Sequence, residues 1–374
     1  MGGARGRGRA GICAAIAVSA VLLVLPAPNT GPAAGSTAEG SRNGATTLAE
    51  AWPDHRPVTL PRARPDGSSF EPRLVLDANR AVGLLTSADD TAVSLVVLTF
   101  SAPDAPRVLA ATAQADHVVF DAVTVRGDTA YWMTTTPDGD GISGALWAAD
   151  LSAGPTRLVT ADTGRAAFRG SQYDLQVVNG RVYWAAVRSV DPVVTEIRSI
   201  AEADAGAGAP VRVLALDRSY SLTAVPWITS EPGRGGVPLE LRNLETGRRV
   251  TLAVGPEERA WCTPTWCRTS GPGPLGDILT LARPDAGERR RITYSGDIGV
   301  ADVAIADRFE ILTTPLPTRY ATTRETLVLY DLRTGRAALV AVVTSRSARD
   351  GWLWWETTDG ESATWHLLDL TSLP

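Results

Sequence analysis

The sequence predicts an all-β chain, a seven-bladed β-propeller of four-stranded antiparallel blades whose ring is closed by an N-terminal strand. Three observations carry that prediction. Short apolar strands bounded by Gly, Pro, Asn and Asp run along the chain with no long helical pattern among them. Aromatic or aliphatic pairs followed by Thr or Ser recur at a nearly constant step. The last repeat is one strand short, while an extended segment ahead of the first repeat has no partner of its own.

The repeat is read from Leu84-Leu85-Thr86, Tyr131-Trp132-Met133-Thr134, Val182-Tyr183-Trp184, Pro226-Trp227-Ile228-Thr229, Thr265-Trp266-Cys267, Ile311-Leu312-Thr313 and Trp354-Trp355-Glu356-Thr357. With Leu85, Trp132, Trp184, Trp227, Trp266, Ile311 and Trp355 as markers, the steps are 47, 52, 43, 39, 45 and 44 residues. A step near 45 is that of a four-stranded propeller blade. A Trp at one strand position in five of the seven units is expected to fill the space between blades. A ring of ligand-stacking aromatics is the alternative.

A second motif runs in phase with the first: Asp150-Leu-Ser-Ala-Gly154, Asn243-Leu-Glu-Thr-Gly247 and Asp331-Leu-Arg-Thr-Gly335, with Arg283-Pro-Asp-Ala-Gly287 a looser copy. Gly supplies the positive φ that such a hairpin turn requires. Upstream of the markers sits another hairpin, as in Phe120 to Val125, Arg126-Gly127-Asp128 and Ala130 to Thr134, which brings each unit to four strands. The last unit has strands over 352–356 and 364–370, then ends at Pro374 before a fourth can form. Arg56-Pro-Val-Thr-Leu-Pro61 is therefore expected to close the ring as its missing outer strand, protecting edges that invite aggregation. Residues 196–205, helical by composition, are read as a strand and an inserted loop.

Arg5, Arg7 and Arg9 precede the apolar run Ile12 to Leu25, the pattern of a secretory signal. Residues 1–34 are accordingly expected to be a signal peptide or N-terminal membrane anchor, 35–52 a Gly/Ala/Ser/Thr-rich flexible linker, and 53–374 a single propeller domain. Cys13 stands at the very start of the apolar run, with Ile12 where a lipobox needs a small residue, the wrong place for a lipid anchor. The chain is expected outside the cytoplasm, secreted or tethered to the outer face of the cytoplasmic membrane. Its 36 basic residues are all Arg, set against 41 acidic ones, and the net charge of −5 argues against nucleic acid as a partner. Of three cysteines, Cys262 and Cys267 remain beyond the leader, and an even pair in an exported chain predicts a disulfide.

Asn179-Gly-Arg-Val-Tyr-Trp184 followed by Glu196-Ile-Arg-Ser-Ile200, and Gly127-Asp-Thr-Ala-Tyr-Trp132 followed by Ala145-Leu-Trp-Ala-Ala-Asp-Leu151, resemble blades of the YWTD class and of the exported TolB-like propellers of bacteria. The Asp that closes the YWTD tetrapeptide is replaced by Thr134 and Ala186, and seven units differ from the six usual in both groups. The resemblance covers residues 56–374. It implies an extracytoplasmic platform for protein interaction or ligand binding and no catalytic residue.

No nucleophile elbow is present, and His55, His117 and His366 lie in different units without an acid and a serine beside them. Pro137-Asp-Gly-Asp-Gly-Ile-Ser143 looks like a calcium loop but lacks the first ligand and the closing Glu, so it is read as a solvated turn. No cofactor and no metal are expected. Acids recur near the start of the innermost strand at Glu71, Asp121, Asp174 and Asp302, where they can form a partial ring at one channel mouth for a cation, a sugar hydroxyl or a peptide amine. The alternative is that each accepts backbone N–H groups. Charged loops, among them 346–350 and Arg319-Tyr320 with Arg324, offer interface residues on the same face. The sequence thus favours a non-enzymatic, monomeric, exported propeller that binds an envelope protein or glycan. A glycoside hydrolase or lyase using acids at the channel mouth is the alternative.

Overall fold

The structure is a computed structural model that describes residues 45–138, 141–204, 206, 209–231, 237–273, 278–285, 287–294, 296–316, 324–360 and 362–374. The expected leader, 1–34, and the first ten residues of the expected linker lie outside the described residues. No helix among the described residues is long and apolar enough to cross a membrane.

Seven antiparallel blades follow one another along the chain. Blade 1 comprises Ser69–Asp77, Arg80–Thr86, Ala92–Thr99 and Arg107–Ala113, and blade 2 Val119–Arg126, Thr129–Asp138, Gly141–Asp150 and Arg157–Thr160. Blade 3 comprises Leu175–Val178, Arg181–Val190, Val193–Ala201 and Arg212–Ala215, and blade 4 Tyr220–Leu222, Trp227–Ser230, Leu239–Asn243 and Arg249–Leu252. Blade 5 comprises Arg259–Cys262, Cys267–Gly271, Ile278–Ala282 and Arg289–Arg291, and blade 6 Asp297–Ile298, Phe309–Pro315, Glu325–Asp331 and Arg336–Val343. Blade 7 takes its inner three strands from Ser345–Arg349, Trp352–Asp359 and Ser362–Asp369. Its fourth is Val58–Pro61, antiparallel to the last strand with Val58 opposite Leu367 and Pro61 opposite Thr364. The ring closes as the incomplete last repeat requires.

The core is divided into seven layers, one between each pair of neighbouring blades. Trp132 packs with Leu74, Val82 and Leu95 between blades 1 and 2, and Trp184 with Tyr131 and Leu146 between blades 2 and 3. Trp266 and Trp355 fill the corresponding layers between blades 5 and 6 and between blades 6 and 7. The closing layer joins Trp354 and Trp365 of blade 7 to Phe70 of blade 1, where the Trp365 indole N–H donates to the Phe70 carbonyl at 2.8 Å. The marker Trp residues are thus inter-blade fillers; Trp227 is partly buried at the edge of its layer. The phased turns also form as expected, with φ of 97° at Gly154, 71° at Gly247 and 70° at Gly335. Each turn is wound tight by its own acid or amide, Asp150 accepting Ser152 N at 2.8 Å and Asn243 accepting Thr246 N at 2.8 Å.

Cys262 and Cys267 are cross-strand neighbours joined by a disulfide, with the Thr263 amide donating to the Trp266 carbonyl at 2.7 Å in the turn between them. The calcium-like segment is a hairpin in which Asp138 pairs with Gly141. Residues 193–201 form a strand, followed by a single 3-10 turn, Glu202–Asp204.

The structure corrects two expectations. Residues 45–52 are not a tether. Thr46 and Thr47 pair in parallel with Ala338 and Leu339 on the outer edge of blade 6, and the one-turn helix Leu48–Ala51 is held by a Thr47/Glu50 capping box. Trp52 then packs edge-on against Phe309, ring centroids 6.0 Å apart. Residues 345–349 are likewise not a surface loop but the inner strand of blade 7.

Candidate binding site at the channel mouth

The inner strands of blades 1, 2 and 7 and the loop entering blade 3 surround a cavity of about 210 Å³ at the axis of the ring. Blade 1 contributes Glu71 and Arg73, blade 2 Asp121, the blade 3 loop Phe168, Ser171, Gln172 and Asp174, and blade 7 Ser345 to Arg349. Trp354 and Trp365 of the closing layer complete the wall.

The blade 3 loop forms the floor, because it crosses to the far side of the ring. Gln172 is gripped there at three points. Its amide N–H donates to Asp302 Oδ2 at 2.8 Å, its carbonyl accepts Arg349 Nη2 at 3.0 Å, and its side-chain oxygen accepts the Asp350 amide at 3.1 Å. Ser171 Oγ donates to the other oxygen of Asp302. Arg349 Nη2 also reaches the Leu175 carbonyl at 3.3 Å. Blades 3, 6 and 7 are thereby tied together across the axis.

The structure brings together three of the four acids singled out from sequence. Glu71 is half-exposed and ion-paired to Arg73 at 3.4 Å. Asp121 is half-buried and accepts Thr135 Oγ1 at 2.7 Å; burial is the largest influence on its carboxyl and raises its pKa. Asp174 is buried and accepts the backbone N–H groups of Arg169 at 2.8 Å and Ser171 at 3.0 Å, yet its pKa is raised because desolvation outweighs those bonds.

Asp302 stands apart from the other three. It follows the two-residue inner strand of blade 6 and is held by the blade 3 loop, a strap across the axis, where it shares a much smaller cavity with Asp174. Its placement traces to Arg268, which is buried between blades 5 and 6 and ion-paired to the fully buried Glu310. That guanidinium also gathers the carbonyls of Val300, Ala301 and Asp302, bending the chain away from the strand path. Burial drives the Asp302 pKa up to about 6.

Of the loop residues, Arg319 and Tyr320 lie outside the described residues. Arg324 is exposed immediately before a blade 6 strand and does not line the cavity. Arg73, Gln172, Arg346 and Arg349 are site residues that the search for recurring acids passes over. Arg346 is itself anchored, to Glu325 at 2.6 Å and to the Gly299 carbonyl at 2.9 Å. His366 is stacked on Trp355 on the outer side of blade 7, and burial lowers its pKa.

Sequence comparison with protein-family models and with curated proteins gives no match. Among solved structures, the chain is similar to the β-propeller domain of the Trilobed protease from Pyrococcus furiosus, at 10% identity and TM-score 0.45 over 67% of this chain and 81% of that one. It is similar to an acylaminoacyl peptidase from Pyrococcus horikoshii, at 9% identity and TM-score 0.45, covering 67% of this chain and 45% of that one. It is also similar to an oligogalacturonate lyase in complex with manganese, at 10% identity and TM-score 0.49 over 86% of this chain and 98% of that one. The chain spans less than half the length of the peptidase.

Proposed function

We propose that the protein is an exported, non-enzymatic propeller that binds an envelope glycan or protein at the channel mouth. The observation that carries this reading is the floored cavity on the axis, whose polar side chains are held in place before any ligand arrives. Glu71 and Arg73 order each other, Arg346 is fixed by Glu325, and Asp174 by its own loop. Such preorganisation favours binding because little side-chain freedom is lost on association. The apolar run ahead of the described residues and the disulfide of blade 5 support an extracytoplasmic location.

The test is affinity capture with the tagged full chain from envelope extract, followed by a salt wash and mass spectrometry. A retained component lost from Asp121→Asn and Arg73→Gln variants supports the reading. Loss confined to a variant altered at Arg319, Tyr320 and Arg324 moves the partner to that loop, and capture indifferent to all five positions counts against the face altogether.

A second reading, a glycoside hydrolase or lyase, is favoured by the two buried carboxylates Asp174 and Asp302, both with raised pKa values. Turnover of a glycan that disappears in Asp174→Asn would replace the first reading with this one.

A further inference from the structure

Resting on the channel mouth as the binding site, we infer that its cavity takes one neutral sugar ring, the terminal unit of an envelope saccharide, held through its hydroxyls by Glu71, Arg73 and Asp121.

Size sets the first limit. At about 210 Å³ the cavity is smaller than the roughly 300–1,000 Å³ of sites for drug-sized ligands, so it accommodates a single ring and not a stretch of chain. Charge sets the second. The lining guanidinium groups of Arg73, Arg346 and Arg349 already have carboxylate partners in Glu71, Glu325 and Asp350, so an anion finds none of them unpaired.

Existing pairs sharpen that choice. An anion at Arg73 would compete with Glu71 at 3.4 Å and face Asp121, and a cation at Glu71 would displace Arg73. A hydroxyl breaks nothing, because it donates to a carboxylate and accepts from a guanidinium. A carboxylate has about four acceptor sites and a guanidinium five donors, so both partners of an ion pair retain capacity. Two adjacent hydroxyls suit an adjacent Glu and Arg in particular. Asp121 adds an acceptor held in place by Thr135.

Arg349 fixes the floor beneath these rim groups. It is nine-tenths buried and lines the cavity, and its Nη2 is committed to the strap carbonyls. Its Nε has no hydrogen-bond partner among the described residues, the contact with Asp350 Oδ2 being 3.8 Å. Phe168, partly buried at the cavity wall, gives the apolar contact that the C–H face of a pyranose needs.

Saturation-transfer NMR on the full-length protein with the methyl glycosides of glucose, galactose and mannose, and with cellobiose, tests the inference. Glucuronate, glucosamine and an acetylated dipeptide serve as charged and peptide probes. At least one neutral glycoside is expected to bind, with at least about tenfold weaker affinity for the charged sugars and for the folded Asp121→Asn and Arg73→Gln variants. Thermal unfolding of each variant establishes that it is folded, and a variant that is not is replaced by Glu71→Gln. The inference is overturned if no neutral glycoside binds, if a charged sugar or the peptide binds best, or if binding ignores the substitutions. Envelope capture that persists and depends on Asp121 while no sugar binds would remove the ligand class and leave the platform standing. Loss of both would remove both.

Discussion

Asp302 provides the most direct energetic test of the strap. It is 5% exposed, and burial raises its pKa from 3.8 to about 6 although Gln172 N and Ser171 Oγ both donate to it. A raised carboxyl pKa means that the folded protein binds this proton more tightly than the unfolded chain does. Stability from this group therefore increases as pH falls through about 6 and levels off near 4, the reverse of an ion-paired surface carboxylate. At 1.36 kcal/mol per unit, a displacement of about two units amounts to about 3 kcal/mol. Asp174, also raised by burial, acts in the same direction.

Asp302→Asn removes the titration and keeps the shape. The amide oxygen can accept Gln172 N while the amide nitrogen donates to Ser171 Oγ, reversing one bond instead of losing it. Urea unfolding of wild type and variant, at intervals from about pH 7.5 down to about pH 4, should show wild type gaining about 3 kcal/mol on the variant across that range. Carboxylates with lowered pKa, such as Asp331 beside Arg308, weaken the fold at lower pH in both proteins and cancel in the difference. Parallel stability curves, or a gain by the variant on acidification, would refute the assignment of a desolvated Asp302 held by the strap.

Three further substitutions probe the frame. Leu60→Asp puts a charge at a buried position in the closing strand and should cost about 3 kcal/mol in urea unfolding; an unchanged midpoint would mean the strand does not hold the ring. Glu310→Gln leaves Arg268 buried without its carboxylate and should cost about 3–5 kcal/mol by the same measurement, more than Glu71→Gln at the half-exposed cavity rim. Replacing both Cys262 and Cys267 by Ala opens a short loop, for which chain entropy gives a loss of about 2 kcal/mol, read as a lower unfolding midpoint.

The parts of the fold legible in sequence are those that repeat. A Trp that must fill an inter-blade layer returns at the blade step, and an Asp or Asn that winds a turn returns with its Gly. The count of strands then exposes one vacancy, which Val58–Pro61 fills. The segment 45–52 escaped because its composition is that of a linker, while its order comes from one capping box and from Trp52 meeting Phe309, contacts made once and not periodic. The acids at 71, 121 and 174 could be found because each stands near the start of, or just before, the inner strand of its blade. Asp302 could be found as an acid but not placed, since its position depends on Arg268 drawing in three carbonyls from the neighbouring blade.

Gln172 carries no such signal, and its structural role explains why. Two of its three grips are on backbone atoms, its N–H to Asp302 and its carbonyl to Arg349, so the strap constrains the path of the chain more than the identity of the residue. The side chains that do the gripping, Asp302 and Arg349, lie 130 and 177 residues further along in other blades. The consequence for function is geometric. A propeller with an open axis presents a pore, whereas one crossed by a strap presents a floored cup, and a cup selects the end of a ligand over its middle. On the proposed binding role, Glu71, Arg73 and Asp121 would act on whatever that end displays, and the strap and the rim would be two parts of one recognition device.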